Sequence, residues 1–254
     1  MAKVQVALQL YTVREDTGKD FIGTLKRVAE IGYPAVELAG AGGLSAAELG
    51  KVLRDLGLEV WGTHVGFNQM LESLQELIDF NKAIGNSYLI CPGLPGERTT
   101  DAAAYAETAR LYNEIGAKAL QQGMHVGHHN HNREFETPGG KAGMDILIEG
   151  TDPANFGAEL DVFWAKYANI DPAAYIRKFP GRFPLLHIKD MHAGEDRKFA
   201  EIGEGILNWP AIFDAAETVG GTKCYIVEQD NCYDRAPLDS VKLSLENLKK
   251  MGKL

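Results

Sequence analysis

Eight short apolar runs, each followed by a longer amphipathic stretch, set the tightest limit on what this chain can fold into. The runs are VQVALQ (4–9), AVEL (35–38), EVWGTH (59–64), SYLIC (87–91), HVGHH (125–129), FGAELD (156–161), PLLHIK (184–189) and CYIVEQ (224–229). Their length and composition read as strands. The stretches 20–31, 45–56, 71–84, 101–122, 141–149, 172–179, 209–219 and 238–250 read as helices. Ser45 with Glu48 three residues on is a capping-box pattern, and Asp171-Pro172 and Trp209-Pro210 place proline near a first turn. Glycines at 32, 57, 85, 116 and 123 fall near expected helix ends, where left-handed caps belong. No linker, low-complexity run or charge block interrupts the alternation. The chain is therefore expected to form a single (β/α)8 TIM barrel over residues 1–254. A doubly wound open sheet is the competing arrangement, and the lack of G-x-G-x-x-G after the first strand counts against it.

Composition narrows the function. The formal net charge is −9 and no Lys/Arg-rich run offsets it, which disfavours a nucleic-acid partner. Cys91, Cys224 and Cys232 are odd in number and form no C-x-x-C pair, which argues against a disulfide framework or a zinc knuckle. The opening residues lack a signal-peptide pattern, and no stretch approaches the roughly 18 to 20 apolar residues of a membrane span. A soluble cytoplasmic protein with no membrane partner is the expectation.

Within the strands one alternate set is apolar: Val6, Leu8, Leu10, Val36, Leu38, Leu186, Ile188, Tyr225 and Val227. The other set is small or polar and includes Ala7, Gln9, Glu37, Gly62, His64, His187, Lys189 and Glu228. In a barrel the first set faces the helices and the second the lumen. Polarity in the lumen set rises toward each strand's C-terminal end, the face where barrel enzymes hold their sites. Six of the eight strand ends then supply a carboxylate or imidazole: Glu37, His64, His129, Asp161, His187 and Glu228. Singly, each has a plainer explanation as a helix cap or a hydrogen-bonded wall residue. Converging carboxylates repel one another unless a cation neutralises them. Asp161, His187 and Glu228 come from three consecutive strands about 4.8 Å apart, close enough to meet at one ion. Oxygen and imidazole donors suit Mn²⁺, Fe²⁺, Co²⁺, Zn²⁺ or Mg²⁺. In HHNHNREFE (128–136), His129 and His131 share a face while His128 and Asn130 point the other way.

Several motifs carry a resemblance over nearly the whole chain: LQLYTVRE, HHNHNREFE, ELDVFWA, LLHIKDMHAGED, EIGEGILNWPAI and YIVEQD. In order and spacing they resemble the xylose isomerase-like barrel superfamily, which includes sugar isomerases and epimerases, inosose dehydratase and endonuclease IV. The resemblance implies one divalent metal, Mn²⁺ first, held by residues of strands 5 to 8. Asp161, His187 and Glu228 match three of its ligands. At strand 5 the sequence has His129 where relatives such as D-tagatose 3-epimerase have glutamate, with His131 and Glu134 as substitutes. In those epimerases two metal-bound glutamates exchange protons on opposite faces of the sugar carbon. A histidine here suits dehydration, β-elimination from a 3-keto glycoside, or aldose–ketose isomerisation as well as epimerisation.

The expected activity is a divalent-metal-dependent sugar isomerase or epimerase acting on a keto sugar or polyol through an enediolate, with a lyase or dehydratase as the alternative. Glu228 is the expected ligand and base, and His131 and Glu134 are candidates for the second acid/base. Lys189 either polarises a substrate oxygen or pairs with Asp161 or Glu228. Asp190 is expected to point outward. Gln9, Tyr11, Glu37, His64, Trp164 and Trp209 are the expected substrate contacts, the aromatic ones by stacking on a sugar face. An endonuclease IV-like nuclease would need D-x-x-H on strand 6 and D-x-H after strand 7. This chain has Trp164 at the first histidine's place and Asp196-Arg197-Lys198 at the second motif. A non-catalytic sugar-binding barrel is disfavoured by the intact Asp161, His187 and Glu228. No P-loop marks a phosphate, though EIGEGILNW (201–209) has backbone N–H groups that an anion could use. A homo-oligomer is compatible with the sequence, which identifies no interface.

Overall fold

In the computed structural model, which describes residues 3–136 and 140–254, all eight apolar runs become strands of one closed parallel barrel. They are β1 (Gln5–Gln9), β2 (Ala35–Leu38), β3 (Glu59–His64), β4 (Tyr88–Cys91), β5 (His125–His129), β6 (Gly157–Asp161), β7 (Leu185–Ile188) and β8 (Cys224–Val227). Each strand pairs with its sequence neighbours, and β8 closes on β1 through Val6–Tyr225 and Leu8–Val227. The fold is a (β/α)8 TIM barrel. A short antiparallel ribbon outside it pairs Asp190–Met191 with Phe199–Ala200. Among the described residues, no helix is long and apolar enough to cross a membrane.

The capping box forms as the sequence indicates. The Ser45 backbone N–H donates to Glu48 at 2.9 Å, and Gly57 ends that helix (Ala46–Leu56) at φ 66°. Two expectations are corrected. The segment 71–84 is two helices, Phe67–Glu72 and Leu74–Ala83, broken where Ser73 leaves helical dihedrals. Gly116 is not at a helix end; it lies inside Ala102–Leu120, where a Cβ would run into the carbonyl of Asn155. Its role is close approach between backbones. Two short helices, Arg14–Lys19 and Val162–Tyr167, lie outside the expected helical stretches. The second follows β6 directly because the Asp161 carboxylate caps it, accepting from the Trp164 backbone N–H at 2.9 Å. The helix beginning at Trp209 runs to Ala215 and then widens into a looser turn, Ala216–Gly220.

The alternation along the strands sorts side chains as expected. Val6, Leu8, Val36, Leu38, Leu186, Ile188, Tyr225 and Val227 join the large core between sheet and helices. Ala7, Ala35, Tyr88, Ile90, Leu185, Cys224 and Ile226 form a separate apolar plug inside the barrel, with Trp61 packed on it. Fully burying side chains of this kind contributes roughly 1.5–3 kcal/mol each for the larger ones. One step up the same strands, the inward positions turn polar: Gln9, Glu37, Glu159 and His187 are all fully buried. The β2–β3 register shifts between Val36 and Leu38. Beside that irregularity Gly62 leaves space that the Glu37 carboxylate fills, and a Cβ there would clash with its Oε1.

Candidate metal centre

The polar part of the lumen has two tiers joined by His187. In the lower tier, His187 Nε2 lies 2.7 Å from Glu37 Oε2 and 3.1 Å from Glu159 Oε2. His64 Nε2 faces the same two oxygens at 3.3 and 3.2 Å. The Gln9 amide donates to Glu37 Oε2 at 2.7 Å. Burial alone would lower the His64 pKa, but the Glu37 and Glu159 carboxylates raise it to about 10. Those imidazoles in turn hold the Glu159 carboxyl down at about 2 against its burial.

In the upper tier, the other ring nitrogen of His187, Nδ1, meets Glu228 Oε2 at 2.9 Å. His129 Nε2 lies 3.1 Å from Asp161 Oδ2. Lys189 is completely buried and pairs with Glu228 and with Asp161 and Asp230, the last two at 2.8 Å. The carboxylates overcome the desolvation of the ammonium and hold it charged. Burial would raise the Asp161 carboxyl, but Lys189 and the His129 hydrogen bond keep it at about 2. Burial and the neighbouring His187 charge push His129 down to about 3, so its ring is neutral, as a metal ligand must be.

His129, Asp161, His187 and Glu228 each offer a ligand atom within 4.8 Å of the others, and Glu37, His64, Glu159 and His187 do the same. His129 Nδ1 and one oxygen each of Glu37 and Glu159 are buried without a hydrogen-bond partner. Unpartnered buried lone pairs are costly, and a cation is the natural partner for them. With nitrogen and oxygen donors only, the residues fit a hard-to-borderline divalent ion.

HHNHNREFE divides its members between layers. His128 points away from the lumen, with Nδ1 3.2 Å from the Tyr112 hydroxyl. Asn130 accepts the Asp161 backbone N–H at 3.0 Å and so fixes the start of the following helix. His131 lines the mouth, its ring 4.9 Å from His129 and 5.4 Å from Trp164. Glu134 does not reach the mouth. Its buried carboxylate turns back to accept the His131 backbone N–H at 2.8 Å and pairs with Arg133 at 3.1 Å. It shapes the loop, so the expected acid/base and substitute-ligand roles do not match its position.

The mouth is a cavity of about 340 Å³ lined by Tyr11, His64, His129, His131, Glu228 and Asp230 among others. Tyr11 stands at its rim, 43% exposed, with Arg14 stacked on the ring. Trp164 lies beside Lys189 and His131 with its indole N–H buried and unpartnered. A larger cavity of about 910 Å³ opens at the opposite end of the barrel, around Lys3, Gln5, Glu59, Trp61 and Lys223. The convergent ligand atoms lie at the C-terminal end, where barrels hold their chemistry.

Trp209 is brought elsewhere. It is buried against Phe213, and its indole N–H donates to Asp190 at 2.7 Å. Asp190 points outward from the barrel as expected and also accepts backbone N–H groups from Gly203, Gly205 and Leu207 at 3.0 to 3.2 Å. The anion served by the 201–209 loop is therefore this carboxylate. Two residues escaped the sequence reading. Glu159 sits two positions before Asp161 on β6, and the period-2 rule that placed Asp161 in the lumen places Glu159 there too. Asp230 lies beyond the end of β8, where no strand period applies.

A profile of the xylose isomerase-like TIM barrel family matches residues 25–251. The chain belongs to that family. Among solved members of this fold, a sugar phosphate isomerase/epimerase from Parabacteroides distasonis ATCC 8503 is 25% identical, with TM-score 0.84, over 100% of this chain and 96% of its own. A second structure of that description gives 25% identity and TM-score 0.85, over 97% of this chain and 98% of its own. The IolI protein, solved with a bound zinc atom, shares the xylose isomerase-like fold at 14% identity and TM-score 0.79, with 98% of both chains covered. No curated protein matches the sequence.

Proposed function

We propose that the chain, as one barrel domain over residues 1–254, is a divalent-metal-dependent isomerase or epimerase of a keto sugar or related polyol. The convergence of His129, Asp161, His187 and Glu228 beneath an open mouth carries the reading. A bound divalent ion supplies Lewis acidity at a substrate carbonyl and its adjacent hydroxyl. Mn²⁺ is the first choice.

The chain's own groups divide the remaining work. Glu228 is held well below the usual carboxylate range: burial opposes this, and Lys189 and His187 outweigh it. It is a better ligand than base. Asp230 also lines the mouth, and there burial outweighs Lys189 and raises the carboxyl, making it the better proton carrier of the two. His131, on the β5 side, is lowered by burial and is neutral near pH 7, ready to accept a proton. Lys189 donates to a substrate oxygen by exchanging one of its carboxylate partners, and the free indole N–H of Trp164 is a second donor close by.

An imidazole and a carboxyl group lining one mouth, His131 and Asp230, are an unlike pair, and this observation favours a second reading: β-elimination by a lyase or dehydratase. Turnover in ²H₂O separates the two. Isomerisation or epimerisation incorporates deuterium next to the carbonyl without loss of water, whereas dehydration forms a conjugated C=C that absorbs in the ultraviolet. Activity that survives complete removal of divalent metal would overturn both.

A further inference from the structure

The lower tier is poorly explained as a hydrogen-bonded support for the upper one. His187 Nε2 and His64 Nε2 make four close contacts with Glu37 Oε2 and Glu159 Oε2, from 2.7 to 3.3 Å. Each ring nitrogen carries at most one hydrogen, so two hydrogens must serve four contacts. Glu37 Oε2 is further occupied by Gln9. The second oxygens of Glu37 and Glu159 have no partner at all, although both side chains are completely buried. Contacts of this size match the separation of about 3.3 Å between ligand atoms in a tetrahedral site with metal–ligand bonds of about 2.0–2.1 Å.

Charge points the same way. The two tiers hold five carboxylates, Glu37, Glu159, Asp161, Glu228 and Asp230, against one ammonium, Lys189. A single divalent ion in the upper tier leaves these groups two charges negative when His64 is neutral and one when it is protonated. Once such an ion takes His187 at Nδ1, that ring cannot also be an imidazolium and cannot answer the deficit with a proton. A second divalent ion, taken up with loss of the Nε2 proton, adds one net positive charge and reduces it.

We propose that Glu37, His64, Glu159 and His187 form a second, inner divalent-cation site, with His187 bridging the two ions through its two ring nitrogens. The inference rests on the upper tier being a metal site, as argued above. His64, whose side chain is 10% exposed and lines the mouth, stands on the route in. Filling the inner site displaces the Nε2 proton of His187, so the second ion binds with net proton release.

The test is a titration of metal-stripped protein with Zn²⁺ against a chromophoric chelator, repeated in weak buffer with a pH indicator. Two tight equivalents are expected, the second releasing at least one proton, the Nε2 hydrogen of His187. Glu159→Gln and His64→Asn, each checked for folding by circular dichroism, should retain one equivalent, and Asp161→Asn should also lose one. A wild-type chain that never exceeds one equivalent, lost in Asp161→Asn and kept in Glu159→Gln, overturns the inner site and leaves the proposed function standing. No tight equivalent in the wild type overturns both.

Discussion

The barrel lumen contains two regions built on the same strands two residues apart, and they obey opposite rules. Below, Ala7, Ala35, Leu185 and Ile226 meet with Tyr88, Ile90 and Cys224 as a buried apolar plug. Above, Gln9, Glu37, His187 and Glu228 occupy the next inward positions and are nearly as buried. The plug gains from burial directly, and each of its side chains is replaceable by another of similar volume. The polar tiers lose from burial and persist only because each charge has a partner of opposite sign or a ligand to hold. The pleat places both regions by the same period, so the difference lies wholly in side-chain chemistry. The lower region serves stability, and the proposed function rests on the upper.

The largest test of that division is Asp161→Asn. If the upper region is the metal centre, the variant loses a bound ion by elemental analysis. Its turnover should fall by about 10³-fold, the worth of several kcal/mol of Lewis-acid assistance, with the fold intact by circular dichroism. Full activity in this variant would erase the functional half of the comparison. Ile226→Ala is the mirror experiment in the plug. It should cost about 2–5 kcal/mol in urea unfolding while leaving metal content per folded chain unchanged. Loss of the ion with little loss of stability would mean the plug is part of the site.

Smaller effects sharpen the boundary. Trp209→Phe removes a donor from the buried Asp190 carboxylate and should destabilise by about 1.5–3 kcal/mol, as for a hydrogen bond to a charged group. Its KM should not change, and a rise of tenfold or more would return Trp209 to the substrate contacts. Ser45→Ala, remote from both regions, should cost about 1 kcal/mol through loss of the helix cap and leave metal binding alone.

The site was partly legible for a definite reason. A strand's period puts alternate residues on one face, so Glu37, His64, Asp161, His187 and Glu228 read as convergent once the barrel was inferred. The same period places Glu159, two residues before Asp161, on that face, although the sequence reading does not single it out. Period gives no help once the strand has ended. Asp230, Glu134 and Trp209 all lie beyond the barrel strands, Glu134 in a single 3-10 turn and Trp209 at the start of a helix. Glu134 and Trp209 looked like mouth residues by position, yet the loop folds back around the first and Asp190 captures the second.

The sequence by itself determined the eightfold alternation, the inward and outward faces of each strand and the end of the barrel where charge collects. Those follow from local periodicity and from the burial of apolar surface, which any window of the chain exhibits. Only the tertiary structure decided which charges meet. Closure of the barrel places Glu37 of β2 2.7 Å from His187 of β7, and Lys189 between Asp161 and Asp230. Such pairings depend on distances across the lumen, set by all eight strands together and carried by no segment alone.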